Sequence, residues 1–167
     1  RDSSYGVVFV GASFFDGQAI MVPQSMNAVS AYELDKVSIC ALDGGEDLAN
    51  LRDFFFQNQA AYTEVLYEDR QDLSVAYQSG LCDAVSASAS WLNAVRRGLP
   101  DPGGQRILPE RLSKDVFGPV VRTGDDQWFS IVQWTLYALI NAEEAGVTSL
   151  NADSLEAAKT HPIRRLL

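Results

Sequence analysis

Residues 118–148 read GPVVRTGDDQWFSIVQWTLYALINAEEAGVT, and no other stretch restricts the fold as strongly. Val120 and Val121 suit a strand, Thr123-Gly124-Asp125-Asp126 suits a helix start, and residues 128–140 carry apolar side chains at nearly every angle of a helix. A helix without a polar face predicts burial between layers rather than a place on the surface. It is too short for a membrane span and is interrupted by Ser130, Gln133 and Thr135. Asp125 and Asp126 read as an N-cap and a first-turn acid rather than as a metal-binding pair. Trp128, Phe129, Trp134 and Tyr137 fall at helical spacing and read as core.

With 167 residues and 47% hydrophobic side chains, the chain is long and apolar enough for one compact domain, or for two small lobes sharing a hinge. Its net charge of -9, with only Arg96-Arg97 and Arg164-Arg165 as basic pairs, argues against nucleic acid and anionic membranes as partners. The chain opens on Arg1-Asp2 and runs straight toward a strand, so any export signal is expected to have been removed or to lie upstream. The expectation is a soluble protein.

Residues 7–15 and 18–22 are strand-like, separated by the turn dipeptide Asp16-Gly17, and Pro23 ends the pairing. Ser30-Ala31-Tyr32-Glu33 has the capping-box pattern and predicts a helix of one or two turns. Strands then alternate with helices: strand 37–42, helix 47–58, strand 62–67, helix 69–79 capped by Asp69, strand 82–86, helix 88–97 closed by Gly98. Such alternation predicts an α/β fold with a parallel sheet flanked by helices and joined by right-handed crossovers. Residues 99–104 form a loop by composition, 105–108 a short strand, and 113–122 a returning extended segment. Short helices are expected at 154–159 and 162–167. The division implied is a hinge strand and partial first lobe at 1–15, a second α/β lobe at 16–111, and a return to the first lobe at 112–167.

Signatures of catalysis are missing from the sequence. The single histidine, His161, precedes Pro162 and reads as a solvated turn residue. No cluster has metal-ligand spacing, no phosphate-binding glycine loop is present, and Ser86, Ser88 and Ser90 lack a nucleophile-elbow pattern. The reading is of a non-enzyme with no cofactor and no metal. Cys40 and Cys82, the only cysteines, both lie in short apolar runs. From the residues alone they are either two buried free thiols or, if their strands pair, neighbours.

The long-helix segment, the Phe15-Asp16-Gly17-Gln18 turn, the cysteine pair and the tail His161-Pro162-Ile163-Arg164-Arg165-Leu166-Leu167 together resemble the general L-amino-acid-binding periplasmic proteins of bacterial ABC transporters, members of solute-binding protein family 3. Members of that family are about twice this length, so the chain resembles a central, second-lobe portion. The resemblance implies a periplasmic location, an amino acid or other small solute as ligand, an ABC permease as partner, and closure of two lobes about a hinge. It also implies a Cys40–Cys82 disulfide.

The family grips the ligand's α-carboxylate with an arginine and a Gly-Thr-Thr turn at a helix N-terminus, where backbone N–H groups favour an anion. By resemblance these positions are Arg1 and the turn Gly44-Gly45-Glu46. Both hydroxyls are replaced, and Glu46 brings its own negative charge. The acidic residue that holds the ligand's ammonium group corresponds to Ser88, whose bland reading is a helix N-cap. Asp83 reads as a structural hydrogen-bonding residue. These changes leave amino-acid binding weak or lost. The competing reading is a degenerate lobe that acts as an interaction module without binding an amino acid. If the long helix lacks its partner half-lobe, self-association through 120–140 is expected.

Overall fold

The computed structural model describes residues 5–156. Arg1, His161 and the helices expected at 154–159 and 162–167 lie wholly or partly outside that range. The chain divides into two compact units: unit 1 is Arg1–Phe15 with Val116–Leu167, and unit 2 is Asp16–Asp115.

Unit 2 is a five-stranded sheet with helices on both faces. Its strands are β3 (Gln18–Pro23), β4 (Val37–Leu42), β5 (Tyr62–Tyr67), β6 (Ala84–Ser88) and β7 (Gln105–Ile107), in the order β5-β4-β6-β3-β7. β4 pairs in parallel with β5 on one side and β6 on the other. Helices α1 (Gly45–Gln57) and α2 (Arg70–Gln78) make the crossovers, and α3 (Ala89–Gly98) follows β6. β3 runs antiparallel to both β6 and β7, so the sheet is mixed where the alternation predicted a parallel one. The reason lies in residues 24–36, which hold only two 3-10 turns, Gln24–Met26 and Ala31–Glu33, and no crossover helix. The second of these turns replaces the helix expected after Ser30. Its start is capped as predicted, with Ser30 Oγ accepting from Tyr32 N–H, but Leu34 is already extended.

The two sheet faces build two cores. Even-numbered residues of β3 and β6, among them Ile20, Val22 and Ala84, pack with Leu51 and Phe55 of α1. Odd-numbered residues, among them Ala19, Met21 and Val85, pack with Leu73, Ala76 and Tyr77 of α2 and Leu92 of α3. The period of two along a strand sends alternate residues to opposite layers, which is why a continuous run such as AIMV is needed when both faces are covered.

In unit 1, β1 (Val7–Phe9) pairs antiparallel with β9 (Val120–Arg122). β2 (Phe14–Asp16) pairs with β8 (Asp115–Phe117) where the chain crosses between the units. Gly118 is required at that ribbon, because a Cβ there would collide with the Gly11 carbonyl oxygen. Helix α4 (Asp126–Glu144) starts where expected, with the Asp125 carboxylate accepting from Trp128 N–H at 2.9 Å. Burial of this helix on all sides is not found. Leu136 is its one buried residue, while Trp134 is 71% and Leu139 64% exposed, and Trp128, Ile131 and Tyr137 are exposed too. An apolar groove of about 260 Å³ runs along it, lined by Pro119, Trp128, Ile131, Val132, Leu136 and Leu139 among others. A wheel records which side chains are apolar, whereas burial needs a second surface, and a two-stranded ribbon with one helix is below the size that covers such a face. A short helix, α5 (Ala152–Glu156), follows.

Cys40 and Cys82 form a disulfide, with Cα atoms 5.7 Å apart. The parallel register that sets Cys40 opposite Val85 brings the turn before β6 alongside β4. Both cysteines are buried. Denatured, unreduced protein should therefore show no free thiol by titration, and reduction should lower stability by about 2–4 kcal/mol in urea melts. Two reactive thiols before reduction would refute the bond.

Candidate functional site

Strands β4, β5 and β6 end at Leu42, Tyr67 and Ser88, and α1, α2 and α3 begin a few residues later at Gly45, Arg70 and Ala89. Three helix N-termini therefore stand at one edge of one sheet, the carboxyl edge of its parallel strands. In open α/β sheets that edge is where ligands bind, and unfilled N–H groups there favour negative groups.

The start of α1 is built from backbone. Gly44 (φ +75°) and Gly45 (φ +76°) both occupy the left-handed region, and no side chain caps the helix. A β-branched residue is strongly disfavoured at such angles, so a Thr at position 45 would need a different local path. Asp43, Gly44, Gly45 and Glu46 are exposed. Asp47, in the first turn, is half-buried, and its carboxyl is raised above the ordinary range, first by burial and then by Asp115 and Glu46, with Arg70 opposing. The Arg70 guanidinium lies 5.8 Å from the centre of the Trp91 ring, joining the starts of α2 and α3.

Ser88 occupies the N-cap position of α3, as the sequence suggests, yet its side chain makes no capping bond. The capping group comes from 74 positions away. Asp16 Oδ1 accepts from Ser90 N–H at 3.2 Å, and its other oxygen accepts from the Ser90 hydroxyl. Burial pulls the Asp16 carboxyl upward, but hydrogen bonds from the Ser90 hydroxyl, Gly17 N–H and Ser90 N–H, with the charge of Arg111, leave it below the ordinary range. The Ser88 hydroxyl is thereby released from the capping role that the sequence assigns to it.

Beneath these helix starts lie Gln18 and Ser86, the two fully buried polar side chains among the described residues. Gln18 Nε2 donates to the Asp47 carbonyl oxygen at 2.8 Å and to Ser86 Oγ at 2.8 Å, and the Ser86 hydroxyl donates to the Ala19 carbonyl oxygen. Gln18 N–H donates to Ser113 Oγ, and Ala89 N–H donates to the Gly17 carbonyl oxygen. Gly17 has no room for a Cβ, which would meet the Ser113 carbonyl oxygen. Asp83 has the structural role expected of it: Oδ2 accepts from Ser38 N–H at 2.8 Å and from the Ser38 hydroxyl at 2.6 Å, tying the β6 turn to β4.

Of the residues singled out by sequence, Gly44, Gly45, Glu46 and Ser88 all lie at this edge of unit 2, and Arg1 is outside the described residues. Asp16, Gln18 and Arg70 were missed. In the sequence Asp16 reads as a turn former, and Gln18 as the first residue of a strand. Its one signal was a polar side chain opening a run, QAIMV, that is otherwise wholly apolar. Among the described residues no group of three or more His, Cys, Asp or Glu is arranged to hold a metal ion, and no helix is long and apolar enough to cross a membrane.

No family model matches the chain. Individual relatives do. The chain is 42% identical over 167 residues to the general L-amino acid-binding periplasmic protein AapJ of Rhizobium johnstonii, covering all of this chain and 49% of that one. It is 42% identical over 168 residues to the glutamate/glutamine/aspartate/asparagine-binding protein BztA of Rhodobacter capsulatus, with 100% and 50% covered. Along its whole length the chain is homologous to one half of amino-acid periplasmic binding proteins of ABC transporters. It spans about half the length of these curated relatives. Among solved structures, a periplasmic binding protein from Brucella ovis with glutathione bound superposes with a TM-score of 0.81 at 39% identity, covering 100% of this chain and 53% of that one. The second substrate-binding domain of an amino-acid ABC transporter from Streptococcus pneumoniae, at 18% identity and a TM-score of 0.64, shares the fold.

The division of labour between Asp16 and Ser88 can be checked directly. Asp16→Ala should lower stability by about 1 kcal/mol at pH 7, the usual cost of losing a cap. Ser88→Ala should leave the urea midpoint unchanged. Because folding lowers the Asp16 carboxyl, its contribution is present above the unfolded value of about 3.9 and is lost as pH falls through the folded value. The difference between wild type and Asp16→Ala should therefore vanish in acid.

Proposed function

We propose that this chain is the solute-binding part of an amino-acid ABC-transport system, non-catalytic and periplasmic, with the α1 start and Ser88 facing the solute. The observation that carries the reading is 42% identity across all 167 residues to relatives whose names state amino-acid binding. The three helix N-termini at one sheet edge support it. In this reading the N–H groups at Gly44, Gly45 and Glu46 receive a carboxylate, Ser88 accepts from the ammonium group, and an ABC permease is the partner of the solute-loaded protein. The glutathione in the Brucella ovis relative extends the candidate solutes to small peptides with a free α-amino acid end.

The exposed Glu46 at the α1 start favours a second reading, a lobe that keeps the fold as an interaction module. Its charge opposes the carboxylate that the turn would attract. Calorimetric titration with a panel of amino acids should accordingly find a Kd of about a millimolar or weaker for this chain. Micromolar binding of glutamate, glutamine or leucine would sink that expectation. Glu46→Thr with Ser88→Asp should tighten binding if the solute-binding reading holds, and should do nothing for a pure interaction module. Gly45 is left unchanged in this test because of its left-handed backbone.

The apolar face of α4 supports self-association of the 167-residue chain. The exposed parts of Trp128, Ile131, Trp134, Tyr137 and Leu139 amount to several hundred Å², on the scale of one side of a standard interface and more than monomers ordinarily leave open. The occupant proposed is a second copy meeting the same face. Sedimentation equilibrium at micromolar concentration should give at least twice the chain mass, and Trp134→Glu should return it to monomer. A wild-type monomer whose tryptophans resist quencher would overturn the assembly.

A further inference from the structure

The Gln18 amide is costly where it lies. The residue has no exposed surface, its Nε2 is fully used, and its Oε1 is buried without any hydrogen-bond partner. An unpaired buried carbonyl is destabilising, whereas an apolar side chain of the same shape would carry no such penalty. Reversing the amide does not help, because it would set Oε1 face to face with the Asp47 carbonyl oxygen and beside a Ser86 hydroxyl that is already donating to Ala19. Nothing in the core requires an amide at this place. What it does is local: it ties the first turn of α1, through the Asp47 carbonyl, to Ser86 of β6.

Those two attachments have a common meaning. The α1 start has two left-handed glycines and no side-chain cap, so no capping bond of its own fixes the path of its first turn, although Leu48 packs beneath it. Ser86 and Ser88 are two apart on β6 and project from the same sheet face, and Gln18 is the cross-strand partner of Ser88. One buried amide thus sets the spacing between the turn at Gly44, Gly45 and Glu46 and the Ser88 hydroxyl. We propose that Gln18 is a positioning residue for solute binding, holding the α1 turn and Ser88 in register with each other while touching no solute itself. The proposal rests on the reading of those two elements as solute-facing.

The test is Gln18→Met, which fills the space, removes both donations and removes the orphaned carbonyl. Three readouts are taken on the full chain: the urea midpoint, amide hydrogen exchange, and NMR chemical-shift titration with glutamate, glutamine and leucine. The amides of Ala49, Asn50 and Leu51 report the first turn, because their helical acceptors are the carbonyls of residues 45–47. The expected result is an unchanged midpoint, exchange at 49–51 faster by about tenfold relative to Ile39–Ala41 in β4, and loss of the shifts that solute induces at 44–47 and Ser88. Faster exchange everywhere, in step with a lower midpoint, would make Gln18 an ordinary structural residue and overturn the proposal. So would solute-induced shifts equal to wild type. If the wild type itself shows no shift with any solute, the solute-binding reading fails, and local faster exchange at 49–51 alone then decides whether Gln18 holds the turn. Should Gln18→Met not fold, Ser86→Ala, which removes the sheet side of the tether, is read against the same outcomes.

Discussion

Asp16, Gly17 and Gln18 are where the chain enters unit 2, and the remaining geometry of that edge depends on them. The Asp16 carboxylate caps α3, the Gly17 carbonyl accepts from Ala89 N–H, and Gln18 holds both the first turn of α1 and the hydroxyl of Ser113. Three consecutive residues therefore tie two helix starts and the segment leading into β8 together by hydrogen bonds. Such bonds are worth most where water is excluded, and Gly17 and Gln18 are buried. The same feature makes the edge intolerant: Gly17 admits no side chain, and each of the other two has partners that no neighbour can supply.

The alternation of apolar runs and helical segments from Val37 onward was legible because each element carries its own boundary chemistry. Asp69 caps α2 through Gln71 and Asp72 N–H, and Asp125 caps α4, both by bonds made within three residues. Local contacts of that kind can be read along a line. The direction of β3 could not, since a strand's composition does not reveal which way its neighbours run. Nor could the capping of α3: Ser88 sits in the right place with the right side chain, and the group that takes its role comes from the other end of the unit.

The candidate site divides in the same way. Resemblance points to the turn at Gly44-Gly45-Glu46 and to Ser88, whereas the left-handed backbone at Gly45 is a property of the folded loop and is invisible in the letters. Gln18 and Arg70 escaped because their roles exist only after β3 meets β6 and α2 meets α3. The long helix taught the reverse lesson. Its apolar character was correctly read, but burial belongs to a pair of surfaces, and in the described residues α4 meets too little of unit 1 to be covered.

Strands β2 and β8 pair side by side at the two points where the chain passes between units. Unit 2 therefore begins and ends at neighbouring places, as an insertion does, with its first residue Asp16 and its last residue Asp115 both on that ribbon. A module whose ends meet can be lifted out, exchanged or circularly permuted without stretching its host, because the break in the host is one strand spacing wide. Recombination at these two points would transfer the whole helix-start edge, Asp16, Gln18 and Ser88 included, as one inheritable block. Exchange of whole units would keep the buried Gln18 amide together with the Asp47 carbonyl and the Ser86 hydroxyl that it bonds.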